Sequence, residues 1–288
     1  MKIINPISTY ASSHPTLLVI FSIISIQIGA AFSKSLFPEV GSAGMVFLRV
    51  GFGAISLFAL CRPKWTDKTQ QNVKLLIGFG VVMALMNLSF YAAIERIPLG
   101  IAVTLEFIGP LGLATIKSKR WLDLLWVLLA FLGLLLLTPI GGETLDSWGV
   151  LLALIAACFW AMYILLSAKV GKSIPGIEGL CWAMVVGAII LAPVGIMSAG
   201  SALGQPRLLA IGFAVAILSS IIPYSLEMVA LRSLPINVFG ILMSLEPMCA
   251  AIAGLVVLGE TLTLRSMIAI VLVSIAAAGT SRFRAAVS

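Results

Sequence analysis

The chain has 288 residues, of which 61% are hydrophobic and only 10% are charged, whereas soluble domains are about 45–50% apolar and about 25% charged. This composition excludes an ordinary soluble domain, because one buried core cannot hold so much apolar sequence. The net charge of +7 would suit a nucleic-acid partner, but the basic residues lie in short clusters between apolar stretches. That distribution is typical of the cytoplasmic side of a membrane protein and predicts a lipid bilayer, not nucleic acid, as the partner.

Ten apolar stretches follow one another along the chain, each about 17–23 residues long, which is the length that a helix needs to cross a bilayer. The N-terminal segment 1–15 is polar, so we expect a tail there and no cleavable signal peptide. The sequence therefore predicts an all-α integral membrane protein with ten transmembrane helices, at about 16–37, 41–60, 73–95, 100–116, 121–138, 148–168, 176–199, 207–228, 236–258 and 264–281.

The distribution of Lys and Arg among the connections predicts the orientation. Both tails and the even-numbered connections together carry 13 of these residues, and the opposite side carries 3, Arg96, Arg207 and Arg265. Cytoplasmic loops of membrane proteins carry an excess of basic residues. We therefore expect the tails 1–15 and 282–288 to be cytoplasmic.

Two stretches in different halves of the chain share a layout. Segments 98–110 and 235–247 each begin and end with proline, are apolar between the prolines, and contain one glutamate, Glu106 or Glu246. A carboxylate kept inside an apolar segment indicates a functional membrane helix.

The two stretches lie in spans four and nine, so they predict an internal repeat. A shift of five spans is odd, and the two halves therefore cross the membrane in opposite directions. We expect two inverted five-helix repeats, 16–138 and 148–281, and transporters built in this way bind substrate near the bilayer midplane, where the halves meet. The glutamates occupy different positions relative to their prolines, so the halves are related but not interchangeable.

Glu106 is the strongest candidate for substrate binding and for proton coupling. A carboxylate in hydrocarbon costs roughly 2.5–3.5 kcal/mol on insertion scales, so it must face a wet cavity, pair with a cation or hold a proton. Desolvation raises the pKa of a carboxyl group and a nearby cation lowers it, which lets such a group exchange a proton for a cationic substrate. Pro110 cannot donate to the carbonyl of Glu106. The alternative is a buried ion pair without a transport role.

Lys34 and Arg49 are the candidate bases of the same site. Gln27 and Lys34 lie on one face of span one by their spacing, although Lys34 is also close enough to the span's end for its ammonium group to reach the membrane surface. Arg49 lies deeper in span two, and its planar fork fits a carboxylate in bidentate fashion. A salt bridge from Arg49 to Glu106 or Glu246 is the alternative.

Three further helix faces carry polar and aromatic residues at four-residue or similar spacing. Such faces would line a polar cavity with aromatic walls, or they would mark the membrane interface and bond between helices. The candidates for the cavity wall are Asn87, Tyr91, Trp160, Tyr163 and Tyr224. Glu227 lies near the cytoplasmic end of span eight and is predicted as a gate or boundary residue. The prolines expected to break helices are Pro110, Pro223 and Pro247.

The remaining residue types argue against an enzyme. His14 is the only histidine, and the four cysteines, Cys61, Cys158, Cys181 and Cys249, have no metal-ligand spacing, so we expect no metal and no cofactor. No HExxH, GxSxG or paired intramembrane aspartates occur. A passive channel and a non-transporting membrane scaffold remain as alternatives to a transporter.

An acid and a base in one site suit a zwitterion, because the acid holds an ammonium group and the base holds a carboxylate. A site for lipophilic cations would be expected to have the acid and aromatic walls without Lys34 and Arg49, and a site for sugar phosphates would have several bases. Small amino acids are therefore favoured over drugs and phosphates. Spans five and ten lack interior charge and offer an apolar surface for a homodimer.

Several longer motifs carry a family resemblance. SLEP followed by LGETLT near the end of the chain, with SIQIGAAFSKSLFPEVG, IPLGIAVTLEFIGPLG, CFWAMYILLS, AILSSIIPYSLEM and FGILMSLEP, resembles the drug/metabolite transporter superfamily, EamA group. The similarity extends from span one through span ten and includes the candidate site residues. SLEP and LGE alone are weak signals, whereas the long IPLG block and PYSLEM are more specific.

The resemblance implies a bacterial inner-membrane exporter of threonine, homoserine and related small amino acids, in exchange for protons. It also implies the ten-helix fold in two halves. Export of other metabolites or of drug cations, which the same superfamily includes, is the alternative.

Overall fold

A computed structural model describes residues 15–116, 122–137, 145–174, 177–231, 234 and 236–283. The described chain is built from α-helices, joined by short connections. They are α1 Pro15–Ser35, α2 Phe37–Val40, α3 Ser42–Cys61, α4 Asp67–Gln71, α5 Val73–Ile94, α6 Leu99–Glu106, α7 Ile108–Ile116, α8 Leu122–Leu137, α9 Ser147–Ser173, α10 Glu178–Ala199, α11 Pro206–Ala216, α12 Ile222–Leu231, α13 Ile236–Met243, α14 Glu246–Leu258 and α15 Leu264–Phe283.

The helices coincide with the predicted spans to within a few residues at most ends, and α9 extends about five residues beyond its prediction. Within the described part of the chain, six helical segments are long and apolar enough to cross a bilayer: Pro15–Ser35, Ser42–Cys61, Val73–Ile94, Ser147–Ser173, Glu178–Gly204 and Val238–Leu258. Shorter apolar helices cover Leu99–Leu113, Pro206–Ile221 and Leu264–Gly279. The protein is therefore a multi-pass, all-helical membrane protein. Most of both predicted tails lies outside the described residues.

Three of the predicted spans are interrupted helices. Phe107 separates α6 from α7, the π-helical turn Ile217–Ile221 separates α11 from α12, and Ser244 and Leu245 separate α13 from α14. Each second half carries one of the predicted helix-breaking prolines within its first turn, at Pro110, Pro223 or Pro247. Proline is tolerated there because the first N–H groups of a helix have no intrahelical acceptor.

The interruption before Pro223 is stabilised by side chains from neighbouring helices. Proline has no N–H group, so Pro223 can form neither an α-helical bond to the Ser219 carbonyl, four residues earlier, nor a π-type bond to the Leu218 carbonyl, five residues earlier. Arg49 donates from Nη2 to the Ser219 carbonyl at 3.0 Å, and Ser25 donates from Oγ to the Leu218 carbonyl at 2.7 Å. Unpaired backbone groups are costly in the hydrocarbon region, and polar side chains from α1 and α3 remove that cost here.

The bundle has two ends, which we name by residues. At the Lys34 end, α1 ends and α3 begins, and at the Arg62 end, α3 ends and α5 begins. Buried apolar residues near the Lys34 end form one continuous core that joins α1, α3, α5, α6, α9, α10, α11 and α14. Toward the Arg62 end the core divides into separate clusters. One cluster joins α3, α5, α9 and α10, and another joins α1, α12 and α13.

The helices pair in a regular pattern. The most extensive pairings join α9 with α5, α3 with α10, and α8 with α15, while α1 packs along α11, the π turn and α12. α9 also contacts α6 and α7, just as α1 contacts α13 and α14. α8 and α15, predicted as a dimer surface, thus pack on each other, and their outer faces are exposed at Leu128, Phe131 and Val271.

Close packing of α7 on α9 depends on small residues. A Cβ added to Gly109 would lie only 1.9 Å from the carbonyl oxygen of Ala157. Ala153 and Ala157, on the small-residue face of α9, are buried. Helices in membranes associate through such close backbone contacts. Gly109 also follows the break beside Glu106, so this contact positions that part of the site.

We expect Gly109→Ala to destabilise the protein by about 2 kcal/mol, because overpacking against backbone that cannot move is costly. Thermal unfolding of the purified protein in detergent measures the effect. Gly78→Ala is the matched control, since a Cβ at Gly78 has no atom within 4 Å. Equal unfolding temperatures for the two variants would contradict the packing assigned to Gly109.

Candidate functional site

A cavity of about 140 Å³ lies inside the bundle, between α1, α3, α5, α6, α9, α12 and the break between α13 and α14. Its polar and aromatic lining consists of Gln27, Arg49, Asn87, Glu106, Trp160, Tyr163, Glu227 and Glu246. Its apolar lining consists of Ile26, Ala30, Met86, Phe90, Val103 and Met243. Seven of the ten predicted substrate-site residues are thereby brought together.

Two of the carboxylates stand at helix breaks. Glu106 is the last residue of α6, and Glu246 is the first residue of α14. The helix dipole favours a negative charge at the start of a helix and disfavours one at its end. The two glutamates thus occupy opposite electrostatic positions, although the repeated motif suggested similar ones.

Glu227, predicted as a gate or boundary residue, lines the cavity wall, and its role as a gate stays a prediction. Its Oε1 accepts a hydrogen bond from Ser22 Oγ at 2.6 Å. α12 reaches the cavity at this point because the π turn and Pro223 interrupt the helix one turn earlier. A prediction that assumed a regular helix therefore did not show that Glu227 lines the same cavity as Glu106 and Glu246.

Arg49 is buried and fixed by groups from other helices. Nε donates to Ser220 Oγ at 3.4 Å, Nη1 donates to Tyr91 Oη at 3.2 Å, and Nη2 donates to the Ser219 carbonyl at 3.0 Å. The guanidinium carbon also lies 5.5 Å from the centre of the Tyr91 ring, which is within cation–π range. These contacts hold the plane of the guanidinium group in one orientation beside the cavity.

Tyr91 does not line the cavity, although it was predicted to do so. Its side chain is fully buried, and its hydroxyl group lies 3.1 Å from Ser33 Oγ as well as accepting from Arg49. Tyr91 therefore acts on the cavity by positioning Arg49. Its ring also packs on Phe37 and Phe90.

The charges around the cavity are unequal. Glu106, Glu227 and Glu246 interact electrostatically across it, and the Arg49 guanidinium acts on Glu106. Arg49 is the one basic residue of the lining within the described residues. Three carboxyl groups that share a small space repel one another if all are ionised, so this arrangement suits cations or protons.

Aromatic and amide side chains complete the wall. Trp160 packs edge-on against Phe107 with ring centres 5.1 Å apart, and Tyr163 packs on Phe79 at 5.2 Å. The Asn87 amide donates to the Met83 carbonyl at 2.8 Å. Gln27, on α1, is buried and faces the same space.

Lys34 does not line the cavity, although the sequence predicted it as part of the substrate site. Its ammonium group pairs with Glu260 Oε1 at 2.5 Å and donates to the Ile97 carbonyl at 2.9 Å. Glu260 Oε2 in turn accepts from the backbone N–H of Leu99 at 2.9 Å. Lys34 thus joins α1 to the start of α6 and to the turn after α14. Glu260, in the LGETLT motif, was not among the predicted site residues.

The sequence reading missed the hydroxyl groups that support the site. Ser22 and Ser25, three residues apart on α1, bond to Glu227 and to the π turn, and this spacing is the signal that would have found them. The side chain of Tyr224 is outside the described structure, so its predicted place in the wall stays a prediction. Among the described residues, no cluster of three His, Cys, Asp or Glu side chains has the arrangement of a metal site.

A charged cavity lined by several membrane helices with interrupted spans is typical of a membrane transporter. Comparison with known families gives the same class, since residues 147–282 match the EamA-like transporter family. The chain belongs to this family, and it is also 44% identical over 252 residues to a threonine/homoserine exporter of Salmonella typhimurium.

The relatives include the threonine/homoserine exporter RhtA of Salmonella typhimurium strain LT2 and of Escherichia coli strain K12. Each is 44% identical over 252 residues, or 86% of this chain and 85% of the relative. An uncharacterized transporter of Archaeoglobus fulgidus is 27% identical over 237 residues, which cover 78% of this chain and 81% of that protein. A crystal structure with 18% identity superposes with a TM-score of 0.60 over 92% of this chain and 96% of the other, which shows a shared fold.

We expect Lys34→Met to lower the free energy of unfolding by about 2 kcal/mol, because it leaves the partly buried Glu260 carboxylate without its cation. A double-mutant cycle with Glu260→Gln, read by thermal unfolding in detergent, measures the coupling between the two side chains. The double variant should lose less stability than the sum of the single variants.

Arg96→Met is the matched control for Lys34→Met, because it breaks the more exposed pair with Asp146 and should cost less. Additive losses for Lys34→Met and Glu260→Gln would show that the ion pair does not stabilise the fold.

Proposed function

We propose that the protein exports small neutral amino acids, threonine and homoserine among them, from the cytoplasm across the bacterial inner membrane in exchange for protons. The observation that carries the proposal is the cavity itself, in which one fixed guanidinium group faces three carboxyl groups. The relatives described as threonine/homoserine exporters support the choice of substrate.

The charges of the site match the two ends of an amino acid. Arg49 binds the substrate carboxylate, because its contacts with Tyr91 and Ser219 orient the guanidinium plane before the substrate arrives. Glu106 binds the ammonium group. Trp160 and Tyr163 provide the apolar wall against which a short side chain packs.

The size of the cavity favours a small substrate over a drug cation. Pockets for drug-sized ligands measure roughly 300–1,000 Å³, whereas this cavity measures about 140 Å³. A lipophilic cation also lacks a carboxylate, so it would leave the Arg49 guanidinium without a partner on the substrate. A passive channel is disfavoured because the described residues form a continuous apolar core across the Lys34 end.

The proposed architecture is ten transmembrane helices in two inverted repeats, 16–138 and 148–281. The helix pairing supports it. In an inverted repeat, each span of one half corresponds to the span five places away in the other half. The counterparts of α5 and α9 are then α12 and α1, and these two helices also pack on each other. The same correspondence leaves the α3–α10 and α8–α15 pairs unchanged. The interrupted spans four and nine are also counterparts, as an inverted repeat requires.

The transport cycle we propose is alternating access. The Lys34 end is closed by the continuous core and by the Lys34–Glu260 pair, while the core is divided at the Arg62 end. The excess of Lys and Arg at the Arg62 end assigns it to the cytoplasm. The conformation is then one that receives substrate from the cytoplasm, and opening of the Lys34 end would release it outside.

Protons complete the cycle. With substrate absent, the cavity carries two more acidic than basic groups in its described lining, and protons from outside lower that charge. Protonation of Glu106 removes the group that holds the ammonium, so proton entry and substrate release are linked. A ligand drives such a cycle only through different affinities for the two facing states.

We expect Glu106→Gln to abolish proton-driven uptake of labelled threonine and homoserine into proteoliposomes, because an amide can neither take up the proton nor neutralise the ammonium. Uptake is measured with and without an imposed pH gradient. The matched control is Glu39→Gln, at an exposed position outside the cavity. Gradient-driven uptake equal to wild type in Glu106→Gln would remove Glu106 from the coupling step.

We expect Arg49→Lys to weaken the apparent affinity for threonine by about tenfold or more, because an ammonium group cannot reproduce the fork that binds a carboxylate. Binding of labelled threonine and thermal unfolding are measured on the same preparation, so that a loss of fold is distinguished from a loss of affinity. Arg207→Lys, at an exposed residue, is the control. Wild-type affinity in Arg49→Lys would contradict its place in the substrate site.

A further inference from the structure

A second space, larger than the central cavity, lies on the outer surface between α3 and α10. It is a groove of about 610 Å³, and its lining consists entirely of apolar residues, among them Phe47, Gly51, Ala54, Phe58, Ala188 and Ile189. Ile55 and Ile189 at its edges are each 66% exposed. The groove therefore faces the hydrocarbon part of the bilayer, and none of its residues belongs to the site described above.

Small residues create the depth of the groove. A Cβ added to Gly51 would have no atom within 4 Å, so the floor of the groove is open at this position. Ala54 and Ala188 continue the floor, and Phe47 and Phe58 form raised walls. A space of this shape and polarity fits a hydrocarbon chain.

The groove leads to a basic and aromatic end. Arg62 follows Phe58 by one turn, and its backbone N–H bonds to the Phe58 carbonyl at 2.9 Å. Arg62 has a positive φ of 44°, so the chain turns sharply here and α3 ends. Lys64 and Trp65 follow, both exposed, and Trp65 packs edge-on against Trp182 with ring centres 5.0 Å apart. Trp residues and basic side chains at this level are typical of the headgroup region.

We propose that this groove is a binding site for one anionic phospholipid, with an acyl chain along the groove and the phosphate group beside Arg62 and Lys64. The apolar groove supplies the contact with the chain, and the two positive charges at its end supply a preference for an anionic headgroup. The two features are continuous along α3, which a nonspecific contact with bulk lipid would not require.

A second copy of the chain suits the groove less well. A two-fold dimer in a membrane places the same end of each copy on the same side, so the Arg62 and Lys64 of both copies would come close together. That contact brings like charges together, whereas a phospholipid phosphate neutralises them.

The groove lies on the opposite face of α3 from the central cavity. Arg49 and Gly51 are two residues apart, which turns the side chains by about 200° on an α-helix with 3.6 residues per turn. A lipid in the groove therefore supports, from behind, the helix that carries Arg49. This inference does not depend on the proposed substrate, because lipid binding is measured without transport.

The test is native mass spectrometry of the delipidated protein, titrated separately with phosphatidylglycerol and phosphatidylcholine. We expect wild type to retain phosphatidylglycerol preferentially, by roughly fivefold for each basic residue near the phosphate. Gly51→Phe places a ring in the groove, starting from a Cβ position with no atom within 4 Å, and should lose most of this retention. Gly78→Phe is the matched control, because Gly78 also has open space at its Cβ but lies outside the groove, and it should behave as wild type.

Arg62→Gly removes the positive charge and keeps the turn, since glycine adopts a positive φ without strain. It should reduce the preference for phosphatidylglycerol by about fivefold and leave phosphatidylcholine binding unchanged. Equal retention of both lipids by wild type, or unchanged retention in Gly51→Phe, would overturn the proposal. A wild-type dimer that Gly51→Phe dissociates would also overturn it, in favour of a second copy.

Discussion

The burial of one guanidinium group inside a membrane bundle constrains much of this structure. Arg49 is 6% exposed, and a charge at such a depth persists only when other groups satisfy it. The interrupted helix before Pro223 provides a backbone carbonyl at Ser219, and Tyr91 provides a hydroxyl group and a ring face. In a regular helix, that carbonyl would accept a backbone N–H group from the next turn and would not be available to Arg49. The break and the buried charge therefore depend on each other, and together they join α3, α5 and the π turn.

Glu106 and Glu246 both lie next to a helix break, but their electrostatic surroundings differ. Glu246 begins a helix, where the backbone dipole favours a negative charge, and Glu106 ends one, where the dipole opposes it. The Arg49 guanidinium acts on Glu106, whereas the carboxyl groups of Glu106 and Glu227 act on Glu246. The two glutamates are thus chemically distinct groups, although the sequence motifs around them share a layout.

Most of the fold followed from apolar length, because the bilayer demands helices of nearly fixed size. The breaks could be anticipated at the prolines, but the π turn before Pro223 could not, since it depends on donors from Ser25 and Arg49 on other helices. For the same reason the sequence did not indicate that Glu227 lines the cavity. The pairing of Lys34 with Glu260 joins residues 226 positions apart, and no local pattern marks such a contact. Residue type indicated which groups were costly to bury, and only tertiary structure showed which partner each one had.

The first turn of α6 and the middle of α14 are fastened to each other. Glu260, just after α14, accepts the backbone N–H of Leu99, and a Cβ added to Gly100 would lie 2.7 Å from the Cα of Ala251. The two interrupted helices are therefore held in close contact near the start of α6, and a rotation of one against the other would take place about this contact. Displacement grows with distance from a pivot, so a small change in crossing angle moves the distant halves α7 and α13 much further than the crossing itself. The distance between Glu106 and Glu246 consequently depends on the angle at which α6 and α14 cross beside Gly100.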